Sequence, residues 1–222
     1  MGVYLPRWVW VGAGTLACIA GMVNVTGFLG FEHQAITHLT GTATLLGAAV
    51  AGGDARGMAH LAGMLLAFLL GAALSGMIVQ DSTLRLGRRY GVCLALESAL
   101  LFAAVPLFHR HSLLGALFAA AACGLQNAMA TAYSGAVVRT THISGMFTDL
   151  GIGIGHALRG TPLQTRRLLL SALIICCFFA GAVAGAWLYA RIGYASLLIP
   201  ATLTGLVGAS YVCYRHLHRG DA

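Results

Sequence analysis

The chain has 222 residues, 59% of them hydrophobic and 9% charged, and its formal charge of +7 comes from thirteen arginines, no lysine and six acids. A water-soluble domain carries about a quarter charged residues. This composition therefore excludes a soluble globular domain and makes the bilayer the main solvent. The arginines stand singly or in short groups between apolar runs, which excludes a nucleic-acid patch and suits anionic lipid headgroups.

Residues 1–7 are short and basic, and the apolar run that follows, 8–30, is too long for a cleaved signal core, so it is read as a retained first span. Asn24 lies within it. A polar stretch, Glu32-His33-Gln34, leads to Thr37-His38-Leu39-Thr40-Gly41 and a short apolar run, 41–52. Spans 58–80 and 90–108 follow, the second with Glu97 at its centre. Span 112–134 carries Gln126 and Asn127. Next come Thr141-His142-Ile143-Ser144-Gly145, a short run at 145–158 containing Asp149, and spans 166–190 and 194–214. Six runs reach the roughly 20 residues that cross a bilayer. The two short ones would extend only about 18–21 Å at about 1.5 Å per residue.

The two Thr-His motifs are 104 residues apart, and Gly21-Met22-Val23-Asn24 resembles Gly124-Leu125-Gln126-Asn127. Matches in the same order in both halves indicate an internal duplication. Arginine placement selects the topology. With eight crossings the arginines divide eight against five; with the short runs re-entrant they divide ten against three. The positive-inside rule favours the second arrangement, with both termini cytoplasmic. The expected fold is thus an all-α polytopic membrane protein: six transmembrane helices plus two short re-entrant half-helices. Three crossings per half make it a 3+3 inverted-topology repeat, with halves 1–108 and 109–222.

The repeated motif suggests a site. Thr40 is placed to cap the first half-helix, and Gly41 removes bulk at its start. Ser144 and Gly145 repeat this arrangement. Half-helices starting in mid-membrane would present unpaired N–H groups, favouring a small polar or anionic solute. The candidate binding residues are Thr37, His38, Thr40, Gly41, Thr141, His142, Ser144 and Gly145, with the amides of Asn24, Gln126 and Asn127. Against this stands a plainer role for the hydroxyls, imidazoles and amides, which is to satisfy broken backbone or bond between helices. Glu97 and Asp149 are candidates for carrying a coupling proton; Asp149 also suits a helix N-terminus electrostatically. Cys18, Cys93, Cys123, Cys176, Cys177 and Cys213 all lie in apolar runs with no metal-ligand spacing, so no metal or cofactor is expected.

The Gly-x-x-Asn of the first span, the Thr-His-x-Thr-Gly motif, Gly124-Leu125-Gln126-Asn127 and Arg139 to Gly145 together resemble the YoaK family of small bacterial inner-membrane proteins, a domain of unknown function. The resemblance spans residues 12–211. It departs at Thr42, where the family pattern has Asn, and at Ser144, where it has Thr. It implies a multi-pass inner-membrane protein and supplies no substrate.

The expected function is a transporter or channel for a small polar or anionic solute. Its expected partners are membrane lipids, the solute and, if the chain self-associates, a second copy. The alternatives are an intramembrane enzyme using His and Asp, or a non-transporting scaffold subunit. No HExxH, GxSxG or metal cluster speaks for the enzyme.

Overall fold

The computed structural model describes residues 7–31, 34–79, 88–134 and 139–217. Glu32 and His33 of the polar stretch, and Arg85 and Arg219 among the thirteen arginines, lie outside the described residues. The described chain is helical: α1 (Arg7–Gly30), α2 (Leu39–Gly52), α3 (Ala55–Val79), α4 (Arg88–His109), α5 (Leu113–Tyr133), α6 (Ile143–Leu158), α7 (Thr165–Ile192), a 3₁₀ turn (Gly193–Leu197) and α8 (Leu198–Leu217). Five continuous helical stretches are long and apolar enough to cross a membrane, and the last of these, Thr165–Ser210, takes in α7, the 3₁₀ turn and most of α8. Leu66, Leu69, Leu70, Met77 and Phe179 lie exposed along α3 and α7. Their side chains suit contact with lipid rather than water. The chain is an apolar, multi-helix membrane protein.

Helix directions follow from which residues meet. Gly14 of α1 faces Leu173 and Cys177 of α7, and Gly185 of α7 faces Met22 and Val25 of α1, so these helices run parallel. Gly63 and Gly71 of α3 face Leu117 and Ala121 of α5, also in parallel. Small residues let these backbones approach closely: a Cβ on Gly21 would stand 2.1 Å from the Phe178 carbonyl oxygen, and one on Gly71 2.0 Å from that of Ala121. By contrast, Ser98 of α4 donates to the Ala201 carbonyl of α8 at 2.7 Å, and Gly208 of α8 lies against Leu94 and Gly91 of α4, so this pair is antiparallel.

Two apolar clusters mark the ends of the bundle. One contains Val9, Ala13, Val79, Tyr90, Leu94 and Met129, at the end where α1 and α4 begin; we call this the near end. The other contains Phe31, Ile36, Leu101, Phe108, Tyr194 and Leu197, at the end where α1 and α4 finish; this is the far end. Phe108 stacks on Tyr194 with centroids 5.0 Å apart and meets Phe31 edge-on at 5.9 Å. The Tyr194 hydroxyl donates to the Gly30 carbonyl.

The two short helices begin inside the bundle. After α1 ends, the chain turns back, and Ile36 packs against Gly27. Asn24 Oδ1 then accepts both the Thr37 backbone N–H and the Thr37 hydroxyl, each at 2.9 Å. Asn24 is six residues before the end of α1, so α2 starts about 9 Å below that end. It returns to the far end, where Gly53 in the left-handed conformation (φ 70°) and Asp54 link it to α3. In the second half Thr140 donates to Gln126 Oε1 at 3.2 Å, seven residues before the end of α5. From there α6 runs back to the near end, where α7 starts.

Candidate functional site

The residues singled out from the sequence fall into two groups rather than one. The first is Thr37 on Asn24. The second is Thr140 on Gln126, whose Nε2 also donates to the Leu16 carbonyl at 3.4 Å. Asn24 and Leu16 are eight residues apart on α1, so the two groups are staggered by about 12 Å along that helix. No Cα of α2 approaches within 8 Å of α6. The expected meeting of the two half-helix starts around one solute is therefore replaced by two separated starts, each held by an amide from the preceding long helix.

The motif itself folds differently from the expected cap. The N-cap positions are His38 and His142, not Thr40 and Ser144. The His38 carbonyl accepts from the Thr42 N–H at 2.9 Å and the Thr42 hydroxyl at 3.1 Å, which makes Thr42 the buried residue of α2. Thr40 and Ser144 are exposed one position into their helices, and their carbonyls accept from Thr44 and Thr148. The space opened by Gly41 is filled by the His38 ring, whose Cδ2 lies 2.1 Å from where a Cβ would stand; the His142 ring covers Gly145 in the same way at 2.6 Å. The glycines thus accept their own histidines three residues back. Neither His side chain caps a helix N–H, and both residues are exposed.

Asp149 is tied elsewhere. Its two oxygens take the Arg167 guanidinium at 2.8 and 3.1 Å, joining α6 to α7. It lies in the second turn of α6, so dipole stabilisation at the helix start is not its role.

One set of deeply enclosed polar groups lies between the two apolar clusters. Glu97 is 2% exposed, midway along α4. The Thr204 hydroxyl of α8 faces it, and Cys93 and Cys123 lie near it. Glu97 Oε2, Thr204 Oγ1 and Asn127 Oδ1 are all buried without a hydrogen-bond partner. Buried polar atoms in native proteins are nearly always satisfied, so two carbonyl-type oxygens and one hydroxyl left open near one depth constitute a feature. Gln126, next to Asn127 on α5, is 1% exposed. Glu97 is the only Asp, Glu, Arg or Lys among the buried polar residues described. No group of three or more His, Cys, Asp or Glu able to hold a metal occurs among the described residues. Thr204 was not foreseen: a lone Thr in an apolar run reads as a side chain satisfied by its own helix, and only the facing Glu97 distinguishes it.

The family described as "Protein of unknown function (DUF1275)" matches residues 12–210. The chain belongs to this family. No curated protein and no solved structure matches it.

Proposed function

We propose that this family member is an inner-membrane transporter or channel for a small polar solute. The proposed centre is Glu97, Thr204 and Gln126, flanked by Asn127 and by the half-helix starts at Thr37–Gly41 and Thr141–Gly145. The proposed fold is six crossings and two re-entrant helices in halves 1–108 and 109–222, with the termini cytoplasmic. The YoaK-like motifs fall inside residues 12–210, which supports reading that likeness as the same family.

Two observations support the inverted repeat. First, the close approaches recur in register: residues 18 and 21 on α1 face 181 and 178 on α7, while 121 and 124 on α5 face 71 and 68 on α3. One half maps to the other by adding 103 for α1 to α5 and 110 for α3 to α7. Second, α4 and α8, the last helices of each half, pack antiparallel. A two-fold axis lying in the membrane plane relates antiparallel partners, and transporters built this way bind solutes where the repeats meet. The α4–α8 contact is that place, and Glu97 with Thr204 lies in it.

The single observation that carries the functional reading is the pair of buried, open polar atoms at this contact, Glu97 Oε2 and Thr204 Oγ1, because intramembrane polar groups are costly and mark solute pathways. A buried carboxyl with no buried Arg or Lys among the described residues receives a neutral or cationic solute more readily than a bare anion. The solute supplies the missing donors. The test is flux and binding of a broad panel of small solutes in proteoliposomes, comparing the natural chain with Glu97→Gln and His142→Ala. Flux that falls in Glu97→Gln supports the reading; no flux or binding for any solute overturns it. Reporter fusions at Gly53 and Gly160 test the topology, which requires opposite sides of the membrane.

A further inference from the structure

A cavity of about 320 Å³ opens at the near end between α1, α4, α5 and α8. Its walls are almost wholly apolar, with Trp8 and Val11 toward the outside and Leu94, Met129 and Val207 among the inner lining. Each of these last three stands three residues from a member of the buried polar centre: Leu94 from Glu97, Met129 from Gln126, Val207 from Thr204. Residues three apart lie on the same helix face, about one turn from each other. The direction also agrees. The helix α4 runs inward from the near end, while α5 and α8 run outward to it, so all three steps lead from the cavity toward the centre.

Resting on the transport reading, we infer that the cargo of this centre is an amphipathic amine: a compact apolar body carrying one protonated nitrogen. The apolar walls take the body, since such a lining gives a hydrated ion nothing in exchange for its water. The head meets acceptors. Glu97 Oε2 and Thr204 Oγ1 are buried and open, and the Gln126 Nε2 donor is already committed to the Leu16 carbonyl. An ammonium has donors only, so it complements the Glu97 carboxyl oxygen and the lone pairs of the Thr204 hydroxyl, and as a cation it favours the ionised form of the carboxyl. A carboxylate or sulfonate head would bring a second set of acceptors against Glu97.

The experiment uses the purified full-length chain and three probes with the same body: benzylamine, benzyl alcohol and benzoate. Methylammonium supplies the head without the body. Calorimetry is expected to give benzylamine at least tenfold tighter than each of the others. Glu97→Gln is expected to lose at least tenfold for benzylamine, and Val207→Trp, which fills the cavity without touching Glu97, to lose a similar factor. The isostere series on the natural chain decides the matter even if a variant fails to fold. Benzyl alcohol or benzoate binding as tightly as benzylamine overturns the inference, as does unchanged benzylamine affinity in a folded Glu97→Gln. Glu97-dependent flux of methylammonium or uncharged polar solutes, without preference for benzylamine, discards the inference and leaves the transport reading standing. No binding of any of the four probes discards the inference, and the transport reading falls with it only if the broad solute panel also shows neither binding nor flux.

Discussion

Replacing Gly21 by Ala adds one methyl group, and the structure says where it must go. The new Cβ would lie 2.1 Å from the Phe178 carbonyl oxygen and 2.9 Å from the Ala182 nitrogen, both backbone atoms of α7. An ordinary carbon–oxygen contact needs more than about a further ångström, and neither neighbour can swing aside, so α1 and α7 must separate along their length. Overpacking of this kind costs about 1–3 kcal/mol. Alanine returns up to about 1 kcal/mol through its better helix propensity, so a net loss remains. Gly47→Ala is the matched control: nothing lies within 4 Å of its Cβ position, and the residue is exposed on α2. The assay is thermal unfolding of the purified chain in one detergent. Gly21→Ala should lower the midpoint, and Gly71→Ala, Gly124→Ala and Gly181→Ala should do likewise, while Gly47→Ala should leave it unchanged or raise it. A Gly21→Ala protein as stable as the natural chain would refute the close α1–α7 approach and with it one of the two supports for the repeat.

Asn24→Ala removes the acceptor for two Thr37 donors, one of them a backbone N–H on a buried residue. The expected cost is about 1–3 kcal/mol, with the Thr37 amide losing protection in hydrogen exchange. Arg167→Ala breaks the bidentate contact to Asp149, but the arginine side chain is 59% exposed. Its expected cost is below about 1 kcal/mol, read as a small shift in unfolding midpoint that shrinks further in high salt.

Much of the fold was legible because the bilayer imposes length and polarity on every helix. The apolar runs 112–134 and 41–52 correspond closely to α5 (Leu113–Tyr133) and α2 (Leu39–Gly52). The proposed duplication rests, in the sequence, on Asn24 and Asn127 and on the two Thr-His motifs. The site was less legible, since a motif repeated in both halves looks like a ligand motif whether it faces a solute or closes on itself. Here the histidines fold over their own glycines, a contact three residues long that no spacing pattern distinguishes from an open cradle. Glu97 stood out because a carboxyl has no self-satisfying option in an apolar helix. Thr204 did not, because a hydroxyl does. Asp149 resembled Glu97 in sequence, and only the packing of α6 on α7 revealed Arg167 beside it.

The two ends of the bundle differ in a way that bears on transport. Adding the same 103 residues that carry Asn24 to Asn127 carries Phe31 to Ser134. Phe31 fills the far end against Phe108, while Ser134 lines the open cavity at the near end. In the proposed repeat, a large aromatic on one side and a small hydroxyl on the other would close one end and open the other. Phe108 is fully buried and holds the closed end together through Tyr194 and Phe31. Phe108→Ala should therefore cost about 3–5 kcal/mol of stability. If the centre is reached from both sides in turn, it should also raise solute leak across proteoliposomes, whereas Leu101→Ala, in the same cluster but away from the aromatic stack, should destabilise without leak. The comparison must be made below the unfolding range of both variants. Equal leak from the two would mean that the aromatic stack is ordinary core and that the far end is no gate.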